Sequence, residues 1–468
     1  MPTREGCMKL TIAAVLLLIT AAIGWFYLHQ QEVSSQPSYV TSDNCQACHQ
    51  EYYAAWKRTL HPIMFRPVES DDDILGDFES DDPAVTFKKD EIEFVVGNKW
   101  EQVYVRIIDG EYYPFPAKWM VMLKKWVPYK VHNWQETTMS TKCNGCHTTG
   151  FDPQTLKFSE FGIGCEACHG PGNQHVMNQE KESQPFCQWC HADDPAPPED
   201  SKDIINTVSP SICAQCHNRG TSSLSASDGG ANISFNFPTK TVLGENVGDN
   251  WQPLTKERDK KGKYWWGSGV SKNRHQEYAD WNRSKHSKAL NNLLARFDPE
   301  GGRGELDDGC LHCHSTDYRH AKEEQKPTLE TARFGVTCVA CHDPHGFDKL
   351  TPKHHTDGTS PCADCHIDSM AHSPDKVLDK HYPCPPGKVG CADCHMPRIV
   401  KTGGFFSLRS HAFRIIPPAA TETSGTPNSC QNGGCHEDRT VKWAKKAFKD
   451  HYNSPPAKAS AEQSRGGT

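Results

Sequence analysis

Cys45-Gln46-Ala47-Cys48-His49 is a pair of cysteines two residues apart with a histidine directly after the second, and the chain repeats it. The same pattern recurs at Cys143, Cys146 and His147; at Cys165, Cys168 and His169; at Cys187, Cys190 and His191; and at Cys213, Cys216 and His217. It returns at Cys310, Cys313 and His314; at Cys338, Cys341 and His342; at Cys362, Cys365 and His366; and at Cys391, Cys394 and His395. A tenth copy, Cys430, Cys435 and His436, holds four residues between its cysteines. Two thiols so spaced add across the vinyl groups of a haem as thioethers, and the adjacent imidazole then binds the iron from one face. Zinc ribbons need two cysteine pairs per ion and no histidine at a fixed next position, and disulfides need no histidine either. Ten copies imply ten covalently held haem c groups, with a disulfide as the competing reading for the long tenth motif alone. Two of the 22 cysteines, Cys7 and Cys384, stand outside the motifs and read as inert thiols.

The rest of the composition agrees with a chain wrapped around cofactors. Of 468 residues only 36% are apolar, so macrocycles with two apolar faces are expected to provide core that the side chains lack. Helices are expected near the motifs, with much irregular structure between them. A net charge of -7, before any haem propionate is counted, argues against nucleic acid as a partner. Leu10 to Leu28 is an apolar run behind Arg4 and Lys9, long enough to span a bilayer and followed into periplasm by everything after it. It reads as a retained inner-membrane anchor, a transmembrane helix, because it continues past the small residues Thr20, Ala21 and Ala22 into Trp25, Phe26 and Tyr27; cleavage as a signal is the alternative.

A duplication is visible along the chain. Gln50 to His61 reads QEYYAAWKRTLH and Gln276 to His286 reads QEYADWNRSKH; Phe161-Gly162-Ile163-Gly164 precedes Cys165 as Phe334-Gly335-Val336-Thr337 precedes Cys338. The spacing predicts a first multihaem module over 41–220 with five motifs, a linker over 221–270, a second five-motif module over 271–440, and a tail over 441–468, after an N-terminal segment over 1–40. Residues 92–113 carry the one strand signal, with Asp109-Gly110 as the turn of a small hairpin. Trp119, Trp126, Tyr129 and Trp134 are read two ways, as haem-edge contacts or as ordinary core.

An iron with imidazole on both faces is a low-spin electron carrier, whereas an open face admits substrate, so the histidines outside the motifs matter. Of the fifteen, His29, His312 and His451 are set aside by position. His61, His132, His175, His275, His286, His320, His345, His354, His355, His372, His381 and His411 remain as candidates for the second ligand of ten irons. His61 and His286 stand out because the duplication repeats them.

These motifs resemble those of the multihaem c-type cytochromes, and more narrowly the tetrahaem module of the electron carrier that takes electrons from hydroxylamine oxidation. The resemblance rests on CQACH with Trp56 and His61, FGIGCEACHGPGNQH ending in His175, HQEYADWNRSKH beginning at His275, and CADCHMPR followed by His411, the last similar to the closing unit of nitrite and octahaem reductases. It implies a mainly α, multihaem cytochrome c fold built around stacked haems, and second-ligand roles for His61, His175, His286 and His411. It also implies electron transfer between redox proteins: a quinol-linked membrane donor on one side and periplasmic or outer-membrane cytochromes or an extracellular acceptor on the other. No motif here has lysine in place of histidine, the mark of the ammonifying nitrite reductases. The competing function is an oxidoreductase acting on hydroxylamine, nitrite or tetrathionate at one five-coordinate haem.

Overall fold

The computed structural model describes residues 37–183, 204–225, 232–295, 306–346, 362, 364–366, 384, 389–402, 405–432 and 435–453. Several sequence expectations lie outside them: the apolar run from Leu10 to Leu28, the fourth attachment motif of Cys187, Cys190 and His191, and the ligand candidates His354, His355, His372 and His381. Among the described residues no helix is long and apolar enough to cross a membrane.

Sheet is a larger part of the architecture than a single small hairpin. Five antiparallel strands, β1 (Phe65–Pro67), β2 (Phe94–Val96), β3 (Gln102–Ile108), β4 (Glu111–Met120) and β5 (Lys125–Pro128), lie side by side in chain order. The β3–β4 turn is the one read from sequence: Asp109 and Gly110 have φ of 52° and 82°, and Ile108 pairs with Glu111, the geometry a two-residue turn needs to follow the strand twist. The predicted ribbon thus grows on both sides, because the Trp-rich stretch after it is strand as well. One apolar cluster joins Ile74, Phe87, Val95, Tyr104, Phe115, Trp119 and Trp126, with Phe87 and Phe115 stacked at 4.2 Å. Trp119 and Trp126 are therefore core residues of the sheet. A second cluster, Phe65, Val96, Val105 and Met139, packs against Cys143 and Phe161, so the sheet is a wall against which the second motif is set.

Helices are short and gather at the motifs. They are α1 (Ser42–Gln46), α2 (Gln50–Trp56), α3 (Asn144–His147), α4 (Glu166–His169), α5 (Asn173–Ser183), α6 (Ser211–Ala214), α7 (Glu277–Asn282), α8 (Ala289–Leu294), α9 (Leu311–His314), α10 (Thr316–His320), α11 (Cys391–His395), α12 (Pro418–Ser424) and α13 (Val441–Asn453). Between α3 and α4, β6 (Thr148–Thr149) pairs with β7 (Glu160–Phe161).

The stretch read as a linker is built structure. β8 (Gly220–Leu224), β9 (Ile233–Phe235) and β10 (Gln252–Pro253) form a three-stranded sheet, and Phe235, Phe237, Trp251 and Trp265 are buried. Between β9 and β10, Gly244 and Asn250 lie in turns, and the aromatic residues spaced among the strands set the burial. Further on, β11 (Val400–Thr402) pairs with β12 (Phe405–Leu408) beside the cluster of Val270, Ile399, Val400 and Ile416.

Matching hydrogen bonds hold the two halves. Trp56 Nε1 donates to Ile163 O at 2.9 Å, and Trp281 Nε1 to Val336 O at 2.8 Å. Ile163 N donates to His61 O at 3.0 Å, and Val336 N to His286 O at 3.2 Å. Thr149 Oγ1 donates to Gly162 O at 2.9 Å and Thr316 Oγ1 to Gly335 O at 2.8 Å. Gly162, at φ 73°, lies so close to Pro62 O that a Cβ would stand 2.2 Å from it, so this crossing requires glycine.

Candidate haem-binding site

Each of the following motifs closes a single helical turn. His49 N donates to Cys45 O at 2.9 Å, His169 N to Cys165 O at 3.1 Å, His217 N to Cys213 O at 2.9 Å, His342 N to Cys338 O at 3.0 Å and His366 N to Cys362 O at 2.9 Å. A turn of this pitch brings both sulfurs and the imidazole to one side, as attachment to one macrocycle demands. None of the described motif cysteines forms a disulfide. The motif expected at Cys187, Cys190 and His191 has the same spacing in sequence but falls outside the described residues, so its place in the fold is not assigned.

Four motif histidines face a second imidazole. His49 and His175 have ring centres 6.3 Å apart, His169 and His345 6.1 Å, and His342 and His411 6.2 Å, with interplanar angles of 22°, 14° and 30°. His366 and His286 lie 6.1 Å apart at 60°. An iron bonded to two imidazoles at roughly 2 Å, with each ring adding roughly 1 Å from nitrogen to centre, separates the ring centres by about 6 Å. Direct stacking would bring them much closer. The four gaps thus fit a six-coordinate iron, and the donor set fits haem c.

Protonation and tautomer agree with ligation. Burial pushes the His286 and His342 imidazoles down to about 4, so they are neutral and carry a free lone pair at neutral pH. His169 Nδ1 meets Ile205 O at 2.7 Å, His314 Nδ1 meets Ala289 O at 3.1 Å, and His411 Nδ1 meets Arg409 O at 3.2 Å. A carbonyl can only accept, so Nδ1 carries the proton and Nε2 is left to bind metal. His217 differs: burial would lower it, but Glu277, with Oε2 3.6 Å from Nδ1, raises it to about 9.

Other expected ligands are placed less tellingly. His61 is buried, and burial with the nearby His217 lowers it to about 4. His275, at φ 63°, is pushed well down by burial and by Arg274, and among the described residues it faces no imidazole. His132 and His320 are exposed and meet no second imidazole among those residues. His147 is buried among protein groups, again with no facing imidazole there. His436 lies 4.7 Å from the Trp443 ring.

The motif sulfurs, the expected points of thioether attachment, approach one another between motifs. Cys45 meets Cys165, Cys146 meets Cys216, Cys213 meets Cys338, and Cys313 meets Cys365. Cys384, read from sequence as an inert thiol, is close enough to Cys394, Cys430 and Cys435 to influence them. Nothing in the local sequence signals that neighbourhood; only the fold brings it about.

Comparison with known proteins agrees with the chemistry. Residues 121–170 and 272–343 match the family model for cytochrome c554 and c-prime. The fold is similar to the crystal structure of an outer cell wall cytochrome, OcwA, at 28% identity and a TM-score of 0.69 over 87% of this chain and 86% of that one. An undecahaem cytochrome from the S-layer of Carboxydothermus ferrireducens matches at 19% identity and a TM-score of 0.47, over 88% of this chain and 59% of that one. No curated protein matches the sequence. The attachment motifs, the paired imidazoles, the family-model match and the likeness to OcwA together make the chain a multihaem c-type cytochrome.

Proposed function

We propose that the chain carries ten haem c groups and transfers electrons outside the cytoplasm, from a quinol-linked membrane donor to other cytochromes or an extracellular acceptor. When bound, each haem supplies a one-electron Fe(III)/Fe(II) couple. The residues that would hold that iron are His49 with His175, His169 with His345, His342 with His411, and His366 with His286. These four ring gaps are the observation that carries the reading, because an iron closed on both faces exchanges electrons and leaves no place for a metabolite. The contacts between motif sulfurs support close neighbours along the chain of sites. The likeness to a cell-wall cytochrome supports a location beyond the cytoplasm, with the N-terminal apolar run either anchoring the chain in the inner membrane or removed on export.

The other reading, an oxidoreductase for a small nitrogen or sulfur compound, is favoured by one observation. His147 faces no imidazole among the described residues, and the cations Lys130, Arg274 and Lys142 act on the neighbouring Cys143. Pyridine haemochrome assay together with electron paramagnetic resonance of the oxidised protein tests both. We expect ten haems per chain with mainly low-spin signals; a large high-spin signal that shifts on adding nitrite or hydroxylamine would replace the carrier by the enzyme.

A further inference from the structure

Sequence order assigns Cys213, Cys216 and His217 to the end of the first half, but their contacts are those of a beginning. In the first half, Tyr53 N donates to His49 O at 2.9 Å, and the Tyr53 ring lies 5.4 Å from Trp56 at the head of the repeated segment. In the second half, Tyr278 N donates to His217 O at 3.1 Å, and the Tyr278 ring lies 5.5 Å from Trp281. Cys45 meets Cys165 in the first half, and Cys213 meets Cys338 in the second. The repeat makes Cys165 and Cys338 equivalents. His217 therefore occupies, against α7, the place that His49 occupies against α2.

The segment directly before α7 does not compete for that place. His275 precedes Gln276 as His49 precedes Gln50, yet Ser271 and Arg274 stand where Cys45 and Cys48 would, and neither can form a thioether. Both are engaged elsewhere: Ser271 N and Oγ donate to Asp280, and Arg274 pairs with Glu101. Meanwhile the Cys213 motif keeps contacts with the first half. Cys216 meets Cys146, and Gln215 Nε2 donates to Ala167 O at 2.9 Å between Cys165 and Cys168.

We propose that Cys213, Cys216 and His217 form the opening haem site of the second repeat while remaining packed on the first, and that redox communication between the halves runs through this shared site. This rests on the electron-transfer reading and deepens it by naming the junction. Ligation across the halves accompanies it, since His345 of the second repeat faces His169 of the first.

The test uses the full-length protein with a methionine marker on each side. His345→Met marks the haem at Cys165, His411→Met marks the haem at Cys338, and each gives a His/Met optical band whose midpoint potential is followed separately. The double change Cys213→Ser with Cys216→Ser removes the shared haem, lowering haem content by one. His217→Met keeps that haem and raises its potential, should the double variant fold poorly. Either change is expected to move both marker midpoints, because an adjacent charge is lost or altered on both sides. Movement of the His345→Met marker alone would return the motif to the first half and overturn the junction. An unchanged haem content in the double variant would instead refute haem attachment at this motif, and with it the reading beneath.

Discussion

At the residue scale, the second imidazole decides what each iron can do, and His286 is the clearest case. It is repeated in sequence as the partner of His61, it is half-buried, and its ring centre stands 6.1 Å from that of His366. Replacing imidazole by thioether favours Fe(II), so His286→Met is expected to raise one midpoint potential and leave haem content unchanged. A titration curve that does not move would remove His286 from the ligands. Glu101 makes a second residue-scale prediction. Burial acts to raise its carboxyl, but Arg274 and Lys118, the latter at 2.7 Å, overcome this and hold it below the usual carboxylate range, with Tyr129 and His147 as further ionisable neighbours. A carboxyl lowered on folding stabilises the protein above its unfolded pKa, and that stabilisation is lost as pH falls through the folded value. Glu101→Gln should therefore cost about 2–3 kcal/mol at neutral pH by leaving two partly buried cations unpaired. Urea melts of variant and parent should converge only below about pH 4, the ordinary carboxylate range; a constant difference down to strong acid would show that charge is not the cause.

At the element scale, the five-stranded sheet builds an apolar core from its own side chains. Phe78, Phe87, Tyr104 and Trp119 surround Trp126, whose Nε1 donates to Asp77 O at 2.8 Å. Trp126→Ala should lower stability by about 3–5 kcal/mol, read as a fall in the urea midpoint of the sheet. Haem content and potentials should hold, because the cluster against Cys143 is the separate one around Phe65 and Val105. The sequence showed this sheet only in part. Asp109-Gly110 announces its turn by chemistry, whereas β4 runs through Pro114 and Pro116 and buries residues on consecutive positions, so it lacks the alternation that marks a strand with one wet face. The strands within 221–270 are hard to read for a related reason: β8, β9 and β10 are short, and their aromatic anchors are buried only by folding.

At the scale of the whole molecule, the motifs written in a line become a set in which sites far apart in sequence touch. His49 meets His175 within one half, His169 meets His345 across the two, and Cys213 stands against Cys338. The amino-acid sequence by itself pointed to covalently bound haem c and carries the proposal of where it is tethered and which histidine binds from the tethered side, because cysteine spacing and the adjacent imidazole are local covalent chemistry. It also disclosed the repeat in the matching segments around Trp56 and Trp281, which then make the same bond in each half. Only the tertiary structure decided which histidines stand opposite the tethered ones, that His132 and His320 stay at the surface, and how the linker folds. The reason is physical: a second ligand is chosen by which backbone crossings bring an imidazole within about 6 Å of its partner, and those crossings are set by buried tryptophans, a close glycine approach and sheet packing that connect residues far apart in sequence, as Trp56 and Ile163 are.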